Sequence, residues 1–164
     1  PRMAGVDLSK HALRRAAKRS KEVEFAVASV YDLPVANAAA DLLVNCFSPL
    51  ALEEFLRVLK PGGLYFYVVP GAEHLWQLKQ VLYDNPYPNQ EKLTPYPGLT
   101  YREVRKIDQV IRLTDPQAIQ DLFQMTPYFW KTPKEGAARL AALSELETTI
   151  SFRIHVFAKE AQAV

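Results

Sequence analysis

The sequence predicts an α/β fold built on a mostly parallel sheet and closed by an antiparallel C-terminal strand. Three observations carry this. Short apolar runs alternate with amphipathic helical stretches through the first half. The run Leu64 to Val69 is continuously apolar, as expected of a strand covered by helices on both faces. Beyond a proline-rich interruption the pattern becomes two strands separated by short helices, the last of them cleanly alternating.

Met3 to Val6 reads as the end of a buried strand, with Asp7 following it. Ser9 caps a helix through about Arg19, with Leu13, Ala16 and Ala17 inside and Arg14, Arg15, Lys18 and Arg19 outside. Phe25 to Ser29 is a second strand, broken by Leu33-Pro34, and Asp41 introduces a third, Leu42 to Phe47, ended by Ser48-Pro49. Leu52, Phe55, Leu56 and Leu59 recur at helical spacing, with Glu53 and Glu54 early and Arg57 and Lys60 late, matching the helix dipole. Lys60-Pro61-Gly62-Gly63 is expected to end that helix before the strand from Leu64.

Leu75, Leu78, Val81 and Leu82 mark another helix, which the prolines at 86, 88, 95 and 97 prevent from continuing; Asp84 to Gly98 reads as a surface excursion. Ile107, Ile111 and Leu113 suggest a strand, and Asp115-Pro116 starts a helix bearing Ile119, Leu122 and Phe123. Thr132-Pro133-Lys134-Glu135 reads as a capping box for a helix through about Leu146. Ile150, Phe152, Ile154, Val156 and Ala158 alternate with Ser151, Arg153, His155 and Phe157, the pattern of a half-buried strand.

At 164 residues, 49% hydrophobic and 23% charged, the chain is expected to form one compact domain. Its formal charge of +2 neither requires nor excludes a nucleic acid. The single Cys46 rules out an internal disulfide framework, has no partners at metal-ligand spacing, and fits a reducing, cytoplasmic setting. No apolar run approaches the roughly 20 residues that span a bilayer, so no membrane partner is expected.

In an open α/β sheet, ligands bind beyond the carboxyl ends of the strands. Those ends are Asp7, Ser29, Asn45 to Pro49, and Pro70. Asp7 can accept the two hydroxyls of a ribose, or it can simply cap the following helix. Phe47, Trp76, Tyr128, Phe129 and Trp130 are suited to stacking on a base or to filling a core. Arg102, Arg105, Lys106 and Arg112 can meet phosphates or form a solvated strand face.

Four stretches resemble the class I S-adenosylmethionine-dependent methyltransferases from their second strand onward: Val6-Asp7-Leu8-Ser9, Val27 to Pro34, Asp41-Leu42-Leu43-Val44, and Leu56-Arg57-Val58-Leu59-Lys60-Pro61-Gly62-Gly63. Nearly the whole chain also resembles the 23S ribosomal RNA guanine-N1 methyltransferases. The marks are Cys46-Phe47-Ser48-Pro49, Val69-Pro70-Gly71 with His74-Leu75 and Leu78-Lys79, and Gln124-Met125-Thr126-Pro127 with Phe129-Trp130. The resemblance implies a Rossmann-like sheet and S-adenosyl-L-methionine as methyl donor. It assigns the cofactor to Asp7, Leu8, Ser29, Val30 and Asn45, the reaction to Asn45, Phe47, Ser48 and Pro49, and the substrate to His74, Thr126, Pro127 and Trp130. The implied substrate is a guanine of a large-subunit rRNA stem-loop. Zinc would belong to a module that precedes the methyltransferase domain.

The sequence departs from the family pattern in two places. Ser29 stands where many members have an aspartate, and no G-x-G loop occurs, so residues 1–164 read as a partial methyltransferase domain lacking its first strand. Such a piece is expected to bind cofactor poorly. The strands ending at Val6 and spanning Leu42 to Phe47 would each expose an edge. They are expected to pair with each other, to borrow a strand from a second copy, or to take one from a separate amino-terminal piece. A small-molecule methyltransferase and a non-catalytic domain of the same architecture remain as alternatives.

Overall fold

The computed structural model describes residues 2–161. Contacts group the chain into two compact units, the first made of Pro1–Val68, Thr94–Glu103 and His155–Val164 and the second of Val69–Leu93 and Val104–Ile154.

The first unit holds β1 (Met3–Asp7), α1 (Lys10–Arg19), β2 (Val23–Val27), β3 (Ala40–Cys46), α2 (Leu52–Val58) and most of β4 (Leu59–Pro70). β1 runs parallel to β2, from Met3 opposite Val23 to Asp7 opposite Val27. β3 runs parallel to β4, from Leu42 opposite Leu64 to Cys46 opposite Val68. Ser9 caps α1 as its sequence suggests, its hydroxyl oxygen accepting from the Ala12 N–H at 3.2 Å, and Leu13 is the buried residue of that helix. The core is formed by Ala51, Phe55, Leu59, Tyr65, Leu99 and Phe157, with the Tyr65 ring 5.4 Å from Phe55 and 5.9 Å from Phe157.

Two expectations for this unit are corrected. The Met3–Asp7 strand is not buried, because β2 is its one strand partner and no residue of it is fully covered. Leu59 does not extend the preceding helix. It begins β4 opposite Ala40, and the register shifts between Ala40 and Leu42. The glycine pair absorbs that shift within the strand: Gly62 adopts φ 76°, and a Cβ on Gly63 would sit 2.9 Å from the Lys60 oxygen.

The second unit holds α3 (Trp76–Leu82), α4 (Pro116–Gln124), a 3-10 turn (Pro127–Trp130) and α5 (Lys134–Ala141), around Leu75, Leu78, Leu82, Ile119, Phe123, Leu140 and Leu146. Asp115 caps α4 by accepting from the Gln117 N–H at 2.9 Å, with Pro116 in the first turn, as the sequence predicts. The capping box is a correction. The Thr132 hydroxyl donates to the Tyr128 carbonyl at 2.8 Å, α5 starts only at Lys134 with no side-chain cap, and it ends at Ala141 rather than near Leu146.

β5 (Leu99–Leu113) and β6 (Leu146–Lys159) contribute residues to both units. Strand order is β1-β2 in one sheet and β3-β4-β6-β5 in the other. β6 runs against β4, since Lys159 donates to the Leu59 carbonyl while the Gly71 N–H donates to the Ser151 carbonyl. The expected antiparallel strand is therefore present. Its burial differs from expectation: Thr148, Ser151 and Arg153 are buried while Ile150, Phe152 and Ile154 are half-buried, because β6 is an inner strand whose polar residues have partners of their own.

β1 and β3 do not pair with each other, which removes the first of the three expected fates of their edges. Leu42 and Val44 of β3 remain exposed.

Candidate active-site residues

At the carboxyl end of β1, Asp7 is exposed, and its Oδ1 accepts from the Ser9 N–H at 2.6 Å. Asp7 therefore does not cap α1, a role taken by Ser9; it turns the backbone into the cap residue through one oxygen, while Oδ2 has no partner among the described residues. Leu8 follows, 75% exposed. At the end of β2, the Ser29 oxygen accepts from the Tyr31 N–H at 3.2 Å, leaving its O–H as a donor. Val30 packs against the Phe55 and Tyr65 core, which fixes the backbone of this turn.

The end of β3 is laced from below. Asn45 is buried, and its Nδ2 donates to the Pro49 carbonyl at 3.1 Å and lies 3.3 Å from both the Ser48 carbonyl and the Tyr65 hydroxyl. Its amide nitrogen is thus committed to holding the 47–49 turn. Burial raises the Tyr65 pKa and keeps that hydroxyl protonated. Phe47 carries its exposed ring at φ 54°, a left-handed conformation that bulky side chains rarely adopt. The Ser48 Oγ is buried and has no hydrogen-bond partner among the described residues, which is unusual for a hydroxyl at a strand end.

A clasp not foreseen from sequence holds the turn after β2. Glu54 accepts from the Leu33 N–H at 2.6 Å and from both Arg57 Nε and Nη2. Arg57 also donates to the Leu33 and Val35 carbonyls and to Asn37 Oδ1. The sequence shows both residues only as charges matched to the ends of α2. The Arg57 guanidinium and the Leu33 N–H lower the Glu54 carboxyl to about 2 from an ordinary 4.5. A depressed carboxyl contributes stability above its unfolded value and loses it as pH falls towards the folded one. Thermal melts between roughly pH 5 and 2 should therefore fall more steeply for the native sequence than for Glu54→Gln. Parallel pH profiles would discard the clasp.

In the second unit, His74 lies just before α3. Its Nδ1 accepts from the Ser151 N–H at 3.2 Å, so Nε2 carries the proton of the neutral ring. Burial, and then Lys79, lower its pKa. Thr126 is buried and spends its hydroxyl on the Phe123 carbonyl at 2.8 Å, while Pro127 is exposed and Trp130 is 84% exposed at the end of the 3-10 turn. The structure gathers Thr126, Pro127 and Trp130 on one turn.

The proline-rich excursion is strapped down rather than loose. Lys79, itself buried, donates to Asn89 Oδ1 at 2.7 Å, and Asn89 Nδ2 donates to the Gly71 carbonyl at 2.9 Å. Glu91 accepts from the Ala72 N–H at 2.8 Å and lies 2.9 Å from Arg153 Nε. Arg153 Nη1 and the Ser151 hydroxyl both donate to Asp108 Oδ1. These residues set the backbone after β4; Lys79 carries a family mark in the sequence, whereas Asn89, Glu91 and Asp108 carry no local signal there. Among the described residues, no group of His, Cys, Asp and Glu could hold a metal ion, and no helix is long and apolar enough to cross a membrane.

Comparison with known proteins gives the class first. Residues 1–67 match the family described as "Methyltransferase domain". The fold is similar to that of the YcgJ protein of Bacillus subtilis, with a TM-score of 0.58 at 16% identity over 96% of this chain and 82% of that one. A putative methyltransferase of Bacillus halodurans gives 0.56 at 14% identity over 96% and 83%. The methyltransferase-domain match thus covers the first part of the chain, and the chain has the Rossmann-like fold of these structures.

The chain is a homologue of proteins named as 23S rRNA (guanine-N1)-methyltransferases. It is 32% identical over 154 residues to the "Putative 23S rRNA (guanine-N(1)-)-methyltransferase YxjB" of Bacillus subtilis, covering 92% of this chain and 55% of that protein. It is 34% identical over 155 residues to the 23S rRNA (guanine(748)-N(1))-methyltransferase of Streptomyces fradiae, covering 89% and 54%. The chain spans about half the length of these relatives.

Proposed function

We propose that the full-length protein transfers a methyl group from S-adenosyl-L-methionine to N1 of a guanine in a large-subunit rRNA stem-loop, in a reducing, cytoplasmic setting. The observation that carries this reading is homology over nine-tenths of the chain to proteins bearing that name.

The strand ends fit the donor. Asp7, an exposed residue, offers a second carboxylate oxygen for ribose hydroxyls, Ser29 offers an O–H, and Val30 supplies an apolar wall held by the core. When bound, the donor supplies an electrophilic methyl group, so the protein's task is alignment. Asn45 holds the Phe47–Pro49 turn in shape. Phe47 presents an aromatic face, and Ser48 a buried hydroxyl with no protein partner. His74, with Nε2 protonated, is suited to donating a hydrogen bond rather than to taking the guanine proton. Thr126 shapes the turn that exposes Pro127 and Trp130, which we assign to RNA contact. Zinc is assigned to a module outside this chain.

The test is methyl transfer by the full-length protein to 23S rRNA, with the methylated base identified after nuclease digestion. Transfer to a small molecule instead, or to no acceptor at all, would overturn the reading. In the same protein, Asp7→Ala should weaken donor binding by about 1–3 kcal/mol, the effect of losing hydrogen bonds to a charged acceptor. Unchanged affinity on calorimetric titration removes Asp7 from the site. We further infer that the open edges of β1 and β3 take a strand from a second copy or from the rest of the full-length protein. Light scattering that finds the isolated chain a stable, folded monomer would refute this.

A further inference from the structure

We propose that α1 is a docking face for the RNA phosphate backbone, an inference that rests on the rRNA reading above and adds where the RNA is held. Six of the chain's twenty Lys and Arg residues, and none of its eighteen Asp and Glu, fall within residues 10–21. That segment carries +6, so the remainder of the chain carries −4, and the near-neutral total conceals one strongly cationic element.

Helix stability accounts for Lys18 and Arg19 in the last turn but not for the rest of the pattern. Lys10 occupies the first turn, where the dipole favours anions, and no acidic residue offsets it. Lys10, Arg14 and Lys18 form one i, i+4 row, and Arg15 and Arg19 a second, so each of these cations faces another of its own sign. A merely solvated helix would intersperse charges. All six Lys and Arg side chains of residues 10–21 are exposed, and no ion pair to any of them occurs among the described residues. His11, Arg14 and Arg15, with Ala12, line an open surface depression.

The chemistry selects a polyanion with a regular charge row. Successive cations in each row stand about 6 Å apart along the helix axis, which suits the repeated phosphates of a nucleic-acid strand. Arg14, Arg15 and Arg19 present planar forks that match phosphate oxygens. A membrane surface is disfavoured because Leu13 is buried and Ala16 and Ala17 are half-buried within the unit, so no apolar face is left to insert.

The experiment uses the full-length protein and a fluorescein-labelled 23S rRNA hairpin, with anisotropy measured across a series of potassium chloride concentrations. The triple variant Arg14→Gln, Arg15→Gln, Lys18→Gln should bind roughly ten-fold or more weakly near 0.15 M salt, with the slope of log K against log salt reduced by about 2. Its donor affinity and melting temperature should be retained, and the variant Arg14→Lys, Arg15→Lys should keep most of the binding. If the native protein binds the hairpin and the triple variant matches it in affinity and slope, the α1 proposal is overturned while the rRNA reading stands. Failure of the native protein to bind any hairpin overturns both. Competition by poly-glutamate as effective as that by unlabelled hairpin would also overturn it, in favour of an acidic protein partner.

Discussion

Alanine at position 136 is expected to destabilise the protein by about 3 kcal/mol or more, the upper range for overpacking a fitted contact. Gly136 of α5 lies against the end of α3. An added Cβ would collide with the Leu82 carbonyl oxygen and lie 2.9 Å from its carbon and 3.1 Å from its Cα. These are backbone atoms, so no side chain can swing aside, and Leu82 and Leu140 on either side are fully buried. In an exposed helix the same change would stabilise by up to about 1 kcal/mol, so the sign itself is diagnostic. A fall in melting temperature of roughly 6–12 °C is expected. An unchanged or higher melting temperature would mean that α3 and α5 are not packed as described.

Arg153→Ala should cost roughly 2 kcal/mol, less than the 3–5 typical of breaking a buried pair, because Glu91 and Asp108 remain partly solvated. Its second consequence is local. Without Arg153, Glu91 loses a counter-charge that helps to hold it on the Ala72 N–H, and the strap over Gly71 and Ala72 loosens. Amide exchange at Ala72 and Asn89 should then accelerate more than exchange in α4. A uniform acceleration throughout the second unit would indicate global destabilisation and no special hold on this segment.

The local signals in the sequence were reliable where one residue acts on its near neighbours. Ser9 and Asp115 cap the helices they precede, and Leu64 to Val69 forms an inner strand, although among its residues only Tyr65 is fully buried and Leu64 is exposed. Thr132-Pro133-Lys134-Glu135 misled because a capping box requires the threonine oxygen to face the helix that follows, whereas the Tyr128 carbonyl takes its hydroxyl. Alternation in β6 misled because Ser151 and Arg153 look like solvent-facing residues until Asp108 and Glu91 are brought beside them.

The sequence by itself determined the order of strands and helices, the strand ends that carry Asp7, Ser29 and Asn45, and the motifs shared with the rRNA methyltransferases, because periodicity, caps and motifs are properties of consecutive residues. The tertiary structure alone decided what each polar group is spent on. Arg57 reaches the Val35 carbonyl 22 positions away, Arg153 reaches Asp108 across 45, and the Ser151 N–H reaches His74 across 77. No local pattern records such pairings. They form because a buried donor or acceptor left without a partner costs more than the ordering needed to bring one from a distant segment.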